Sequence, residues 1–345
     1  MNWSNYQRSF KIACSHRKIS NDYQVLLLKY AEKLCKQNLP IIFDITHFSK
    51  LVGYEEWLLY RIENYQKYYY RTFFIPKRNK KLRKIKEPYP TLKEIQNWIL
   101  HNILMNVPVS KYAKAYVSGK GIIDNVKFHK SQKVIIKLDI KNFFDSIPLE
   151  KINLIFIKLG YTKTISYMLA SLCCLENKLP QGAPTSPYLS NIFFSQLDKR
   201  IGTYITSLNF RYSRYSDDIT ISGDINNKQI KSIIDFCEEI LLQYGLKLQK
   251  NKTKILRQSN CQYVTGVVLN KKISAGTKLK REIRQEIFFI KKYGLDNHMS
   301  HEKLKKQNYL SHLLGKINWV LYLEKKNKQF IEYKNYIISL IKDLS

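Results

Sequence analysis

The sequence predicts an α+β fold, from the distribution of helical and strand-like segments and from the apolar content. Segments with apolar residues at helical spacing dominate both ends of the chain, whereas short runs rich in β-branched residues lie between residues 134 and 269. The chain has 345 residues, 44% of them hydrophobic, with 12 Gly and 9 Pro, so it can bury a substantial core. No repeat, low-complexity tract or long linker is present, which predicts lobes that pack as one body.

Two early segments have the helical pattern, residues 21–37 and residues 91–105. Pro90 precedes the second and suits a helix start. Between them, residues 77–86 contain seven basic residues and no acid. Such a run, taken alone, is usually a solvated face.

The middle of the chain contains the most informative β pattern. Residues 134–138 are mostly β-branched and predict a buried strand that ends at Asp139. Residues 210–215 and 219–222 mirror each other and predict a tight hairpin. Its tip holds Ser216, Asp217 and Asp218.

The other elements follow from the same rules. In chain order we predict a helix to residue 159 capped by Asp145 or Ser146, helices at 186–206 and 228–244, β runs at 246–249, 254–257 and 262–269, and helices at 278–293, 302–323 and 330–344.

The charge balance points to a polyanionic partner. There are 59 Lys+Arg against 27 Asp+Glu, a formal net charge of +32. A charge this large repels itself unless a polyanion neutralises it, which favours nucleic acid over an anionic membrane surface. The 25 Tyr and 16 Phe add surface on which bases can stack.

Cysteine usage and hydropathy predict a cytoplasmic protein with no membrane partner. The six cysteines show no C-x-x-C pair and no His at zinc spacing, so we expect reduced, mostly buried thiols. No apolar run approaches the roughly 20 residues that a membrane span needs. The basic N-terminus lacks a signal-peptide core.

The carboxylates at the hairpin tip suggest metal chemistry. Asp217 and Asp218 repel each other, and packing near a core removes their hydration, so the pair is costly without a cation. Mg²⁺ prefers carboxylate oxygens, and Asp139 becomes a third ligand if its strand lies beside the hairpin. Two ions held this way would suit in-line displacement at phosphorus. The structural alternative is a polar turn at Asp217 and Asp218 and a strand-ending cap at Asp139.

Three ordered boxes resemble those of reverse transcriptases. They are YSDD at residues 215–218, similar to the Y-x-D-D box, DIKNFF at 139–144, similar to the first palm motif, and LPQGAPTSP at 179–187, similar to the L-P-Q-G-x-P-x-S-P box. The likeness continues through residues 75–96, 245–253 and 314–319. It implies a right-hand polymerase with fingers, a palm of antiparallel sheet plus helices, and a helical thumb. The implied division is an N-terminal helical extension at 1–40, interleaved fingers and palm at 41–275, and thumb at 276–345.

Within that superfamily the chain resembles bacterial retron reverse transcriptases. Asn125 and His129 stand in an element similar to N-A-x-x-H, and Val264, Thr265 and Gly266 in one similar to V-T-G. The likeness implies that these five residues bind RNA; the structural alternatives are a loop histidine and an ordinary strand and turn. Departures at residues 115–117, 126 and 249 leave group II intron and abortive-infection reverse transcriptases open.

The resemblance also implies a nucleotide site. Phe144 would exclude a 2′-hydroxyl as a steric gate, or else be a core aromatic beside Phe143. The other implied nucleotide-binding residues are the backbone of Ile140, Gln181 and Gly182 lining the pocket, Lys77 and Arg83 meeting the triphosphate, and Lys252 protonating pyrophosphate.

The activity implied by the resemblance is RNA-directed DNA synthesis from deoxynucleoside triphosphates with two Mg²⁺ ions at Asp139, Asp217 and Asp218. For a retron enzyme the template is a cognate structured noncoding RNA, a guanosine 2′-hydroxyl primes synthesis, and the product is a branched RNA–DNA molecule active in antiphage defence. A separately encoded effector and host RNase H would be partners, because the chain leaves no room for an appended nuclease. Alternatives are an intron-type or template-independent polymerase, or a noncatalytic RNA-binding protein, which the three intact carboxylates disfavour.

Overall fold

The structure is a computed structural model that describes residues 3–76, 81–301 and 306–343. It divides into two units, each built from segments far apart in sequence. Unit 1 comprises the described residues of Met1–Ser118, Ile140–Thr203 and Asp235–Gln249, and unit 2 those of Gly119–Asp139, Tyr204–Ile234 and Lys250–Ser345. The predicted domain limits at residues 40 and 275 stay predictions.

The helices of the described residues are α1 (Trp3–His16), α2 (Asn21–Cys35), α3 (Ile45–Val52), α4 (Glu56–Asn64), α5 (Pro90–Asn102), α6 (Ile122–His129), α7 (Leu149–Leu159), α8 (Lys163–Cys173), α9 (Ser186–Ser207), α10 (Asn227–Gln243), α11 (Thr277–Tyr293), α12 (Leu295–His301), α13 (Lys306–Leu323) and α14 (Lys328–Lys342). The strands are β1 (Tyr70–Pro76), β2 (Leu82–Pro88), β3 (Val134–Asp139), β4 (Arg211–Tyr215), β5 (Asp218–Gly223), β6 (Lys254–Arg257), β7 (Tyr263–Val264) and β8 (Val267–Val268). Short 3-10 turns lie at Gln66–Tyr69, Leu104–Asn106 and Lys250–Lys252.

Unit 1 is mainly helical and contains the antiparallel β1–β2 hairpin. Its helices begin where the sequence supplies caps: Asp44 accepts from the backbone of His47 at 2.7 Å at the start of α3. The side chain of Gln96 ties three of its elements together, because the buried Nε2 donates to Tyr70 Oη at 2.8 Å and to the carbonyl of Leu172 at 2.7 Å.

Unit 2 is built on a four-stranded antiparallel sheet in the order β4-β5-β3-β6. β3 is largely buried, as the β-branched run predicted, and Asp139 at its end pairs with Asp218 at the start of β5. α6 and the β7–β8 hairpin pack on this sheet through a cluster that includes Val126, Ile135 and Val264. The helices α11, α13 and α14 share a second apolar cluster, the helical C-terminal region that the sequence predicted.

Three details of the predicted elements are wrong. Residues 246–249 form no strand, because only Leu248 bridges a neighbour, Ile140. The single β run at 262–269 is a bent hairpin with Thr265 and Gly266 in its loop. Neither Asp145 nor Ser146 caps α7, which begins after Pro148. The helix predicted at 302–323 is confirmed over its described residues as α13, and the short helix α12 before it was not predicted.

The six cysteines form no disulfide, and four are buried. Burial raises the pKa of the Cys173 and Cys237 thiols to about 12, so both stay protonated. The predicted burial of most thiols is therefore confirmed. Along the described chain, no helix combines the length and apolarity needed to cross a bilayer.

Candidate active site

The β4–β5 hairpin brings two carboxylates to the end of β3. Tyr215 pairs with Asp218, so Ser216 and Asp217 form the two-residue loop, in which Ser216 has φ of 58°. A tight two-residue loop of this kind needs positive φ at its first position, and the sequence supplies a small residue there. Asp139 pairs directly with Asp218 across the sheet. The predicted neighbourhood of the three carboxylates is therefore confirmed.

The surroundings oppose ionisation at this tip. Burial raises the pKa of Asp217, and the charges of Asp218 and Asp139 raise it further. Burial also raises the pKa of Asp218. The charges of Lys137 and Lys252 lower this pKa, and the charge of Asp139 raises it. The cluster is consequently short of positive charge.

Lys252 supplies part of that charge. It lies in the 3-10 turn before β6, and its Nζ donates to both Oδ atoms of Asp139 at 2.9 Å. In this arrangement no group of three His, Cys, Asp or Glu side chains in the described chain converges to hold a metal ion. The donor chemistry nevertheless fits Mg²⁺, because three carboxylates supply only oxygen and two of them carry pKa values raised in part by mutual repulsion.

A buried polar network lies on the same two strands. His129 Nδ1 and Nε2 each lie 2.7 Å from a serine hydroxyl, those of Ser222 and Ser213 respectively. Ser213 Oγ in turn donates to Asn125 Oδ1 at 2.6 Å. Because Ser213 uses its hydroxyl proton in the bond to Asn125, it must accept from His129 Nε2. His129 Nδ1 then accepts from Ser222. The network ties α6 to β4 and β5.

This network changes the interpretation of two predicted RNA-binding residues. The side chains of Asn125 and His129 are both 0% exposed. They cannot touch RNA directly in this conformation, because no part of either side chain reaches the surface. Sequence reasoning missed their partners, Ser213 on β4 and Ser222 on β5. A serine inside a predicted buried strand is nevertheless a signal of buried hydrogen bonding, because its hydroxyl needs a partner there.

Comparisons with known proteins bear on this site. Residues 75–269 match the family described as reverse transcriptase (RNA-dependent DNA polymerase). The retron Ec86 reverse transcriptase of Escherichia coli is 30% identical over 305 residues, which cover 87% of this chain and 91% of that protein. The chain belongs to the retron reverse transcriptases. It is thus an RNA-directed DNA polymerase with the α+β polymerase fold that its boxes predicted.

A second relative and one solved structure are also similar to this chain. The retron Ec83 reverse transcriptase of Escherichia coli is 33% identical over 250 residues, covering 66% of this chain and 78% of that protein. A telomerase from Candida albicans, solved with a fragment of telomeric RNA, has a TM-score of 0.46 and 14% identity, covering 76% of this chain and 56% of that one. The assignment rests on the sequence matches.

Most of the residues predicted to bind nucleotide belong to unit 1, and Lys252 belongs to unit 2. Phe143 is 5% exposed and stacks on Phe194, with ring centroids 5.0 Å apart, so it is the core aromatic of the pair. Phe144 is half-buried, and its ring lies 6.4 Å from the exposed ring of Tyr116. Tyr116, one of the departures noted at residues 115–117, has φ of 59°. Phe144 is therefore the residue of the two with a face available to a sugar.

The glycine of the LPQGAPTSP box, Gly182, has a packing role. Gly182 has φ of 137°, and a Cβ there would lie 2.6 Å from the carbonyl oxygen of Lys86 on β2. The carbonyl of Gln181 accepts from the backbone N–H of Lys86 at 2.9 Å. The backbone of β2 thus makes the close approach that requires glycine. The predicted nucleotide contacts of Gln181 and Gly182 stay predictions.

Two of the three remaining residues predicted to bind nucleotide differ in exposure. Ile140 is buried, and its backbone bridges Leu248. Arg83 is exposed on β2, and Lys77 lies outside the described residues.

The V-T-G element forms the end of the β7–β8 hairpin. Val264 is fully buried, Thr265 has φ of 48°, and Gly266 has φ of 81° with open space around it. A β-branched residue at positive φ is strained, and strain of this kind collects at functional positions. Any RNA contact of this element must come from Thr265 and Gly266, because Val264 belongs to the core.

Proposed function

We propose that this reverse transcriptase copies a cognate structured noncoding RNA into branched, RNA-linked single-stranded DNA. The observation that carries the catalytic part is the meeting of Asp139, Asp217 and Asp218 at one end of the unit 2 sheet. Three oxygen donors would hold two Mg²⁺ ions, which supply charge stabilisation at phosphorus and lower the pKa of the attacking hydroxyl.

The protein's own groups have distinct tasks in this proposal. The three carboxylates would hold the ions, and their own negative charge would exclude other anions from the metal positions. Lys252, which donates to Asp139 here, would hold a proton for departing pyrophosphate. Phe144 would exclude substrates with a 2′-hydroxyl, and Arg83 would meet the triphosphate.

RNA recognition is supported by a basic cavity in unit 2. The cavity, of about 590 Å³, lies between α6 and the end of α13. Its lining includes four lysines: Lys127, Lys272, Lys325 and Lys326. The lining carboxylate of Glu324 already accepts from Lys280 at 3.0 Å and from Ser274 at 2.8 Å, and Lys280 lowers its pKa. Tyr322, 44% exposed, adds a ring on which a base can stack.

Family membership also supports a proposal for the biological setting. A guanosine 2′-hydroxyl of the RNA would prime synthesis, host RNase H would remove template, and a separately encoded effector would complete an antiphage defence system.

The catalytic proposal is tested by Mg²⁺-dependent incorporation on an RNA template. Asp217→Asn and Asp218→Asn should each lower the rate at least about a thousandfold, because charge stabilisation at the reacting centre is lost. Asp224→Asn is the matched control, since Asp224 is an exposed carboxylate paired with Lys133. Equal rates in wild type and the two site variants would refute the mechanism.

The template proposal is tested by sequencing nucleic acid that co-purifies with the protein from its native host, with and without ribonuclease and debranching treatment. A single short DNA joined to RNA through a 2′ linkage supports it. Heterogeneous RNA with no attached DNA would favour an intron-type polymerase or a binding protein instead.

A further inference from the structure

A buried arginine lies next to the hairpin loop that carries Asp217. Arg214 on β4 is 0% exposed and is the largest of the fully buried side chains in the described residues. Its neighbours in the same row of the sheet, Ile219 on β5 and Leu138 on β3, are also 0% exposed. A guanidinium is costly to bury on an apolar face, and an apolar side chain of similar volume would serve stability as well or better. The arginine therefore needs a role beyond packing.

The sheet register separates Arg214 from two of the three carboxylates. The next row of the sheet contains Tyr215, Asp218 and Asp139. Because successive side chains of a strand point to opposite faces, Arg214 lies on the face opposite to Asp218 and Asp139. Its guanidinium is thus not placed as a counterion of those two groups.

Arg214 reaches the hairpin loop through the backbone. Its Nη1 donates to the carbonyl oxygen of Ser216 at 3.1 Å. That carbonyl belongs to the planar peptide that links Ser216 to Asp217. The hydrogen bond therefore fixes the peptide plane from which the Asp217 residue departs, and a charged, buried donor makes it one of the stronger kinds.

The backbone of Ser216 is strained, which makes this restraint useful. Its φ of 58° lies in the left-handed region, which a residue with a Cβ adopts at a cost that glycine avoids. Glycine is the usual residue at the first position of a tight two-residue loop of this kind. Strained backbone persists where the surrounding structure holds it, and it collects at functional sites.

We propose that Arg214 is a positioning residue that acts through the Ser216 carbonyl on Asp217. It holds the loop in the conformation that places the Asp217 carboxylate beside those of Asp139 and Asp218, where the three would hold metal ions. The proposal rests on the proposed metal function of these carboxylates. In this role Arg214 touches neither substrate nor ion.

The test measures Mn²⁺ binding to the free protein by electron paramagnetic resonance, with Mn²⁺ as the probe of the Mg²⁺ site. Arg214→Met should raise the Mn²⁺ Kd about tenfold, because loss of a group that orients a metal ligand weakens binding by this order. A counterion role predicts the opposite sign, since removal of a positive charge near the site would strengthen cation binding. A lowered or unchanged Kd in the folded variant would overturn the proposal.

Two double variants show whether Arg214 acts through the loop. Ser216→Gly removes the cost of positive φ, so Arg214→Met should raise the Mn²⁺ Kd less than about threefold in that background. Arg214→Met should also add little to Asp217→Asn, because the ligand that it orients is already gone. The same tenfold rise in both backgrounds would assign Arg214 to packing and refute the positioning role.

Arg211→Met is the matched control, because it removes another arginine of β4 that donates to a carbonyl, that of Phe128 at 2.8 Å. Its Mn²⁺ Kd should stay within about twofold of wild type. Arg214→Gln covers the case in which Arg214→Met does not fold, since its amide keeps polar groups at the buried position but is too short to reach Ser216. It should also raise Kd about tenfold, and an unchanged Kd would again overturn the proposal.

The Asp217→Asn variant separates this proposal from the one on which it rests. If Asp217→Asn leaves the Mn²⁺ Kd unchanged, the metal function of Asp217 fails and the positioning role fails with it. If Asp217→Asn weakens Mn²⁺ binding and folded Arg214→Met does not, the positioning role alone fails. Turnover gives a second readout: in Arg214→Met the half-saturating Mg²⁺ concentration should rise about tenfold while the KM for the nucleoside triphosphate stays within about twofold.

Discussion

The buried network around His129 gives a prediction that separates a structural role from RNA contact. Ser222→Ala removes one hydrogen bond of 2.7 Å and leaves Nδ1 of a fully buried ring without its partner. The cost of such an orphaned group is about 1–3 kcal/mol. His129→Ala removes both ring hydrogen bonds and opens a cavity, so its cost should reach about 3–5 kcal/mol.

The assay is urea denaturation followed by fluorescence, with RNA affinity measured on the folded variants. Ser222→Ala should lower the denaturation midpoint and leave RNA affinity within about twofold, because no RNA contact is lost. Ser232→Ala is the matched control. The exposed Ser232 hydroxyl donates to the carbonyl of Lys228 on α10, so its removal should change the free energy of unfolding by no more than about 0.5 kcal/mol.

A double-mutant cycle checks that the two residues act together. The combined Ser222→Ala and His129→Ala variant should cost less than the sum of the single changes, by about 1 kcal/mol. RNA affinity that drops tenfold with no change in the midpoint would refute the reasoning and restore the predicted RNA contact of His129.

Three further predictions concern the carboxylates, a glycine and the steric gate. Asp217→Asn should raise the melting temperature of metal-free protein at pH 7, because burial raises the pKa of Asp217 above that of the unfolded chain and its ionised form therefore costs stability; thermal scans should show this gain fading as pH falls through the raised folded-state pKa and absent below the unfolded one. Gly182→Ala should destabilise the protein by more than about 1 kcal/mol, because φ of 137° and the Lys86 carbonyl both oppose a Cβ, and a denaturation midpoint equal to wild type would contradict this. Phe144→Val should raise ribonucleotide incorporation at least tenfold relative to deoxynucleotides, as measured by the ratio of kcat/KM values, and an unchanged ratio would exclude the gate role.

Local pattern was enough for the elements that position the carboxylates. The β-branched run before Asp139 and the mirrored strands around Asp217 predicted β3, β4 and β5 within one or two residues. These signals work because strand propensity and turn chemistry are properties of neighbouring residues. The antiparallel pairing of Asp139 with Asp218 followed once the two elements were adjacent.

Contacts between distant segments were beyond the sequence. His129 and Ser222 lie 93 residues apart, and nothing in either segment names the other. Gly182 was expected at a nucleotide because glycine permits close approach, but the approaching backbone belongs to Lys86. The glycine at residue 182 indicated that a neighbouring group comes close, but the sequence did not indicate which group.

The β3 strand shows why stability and activity conflict at this site. Along one face, Ile135 is fully buried, Lys137 is half-buried, and Asp139 ends the strand among other charges. The apolar end packs against α6 and the β7–β8 hairpin, and that packing holds the strand in place. The charged end gains nothing from burial, since the pKa values of Asp217 and Asp218 are raised and Lys137 faces Lys254. Neutralising Asp217 or Asp218 should therefore stabilise the free protein while removing a group proposed to hold the metal ions, which is the trade expected where charge is kept for catalysis.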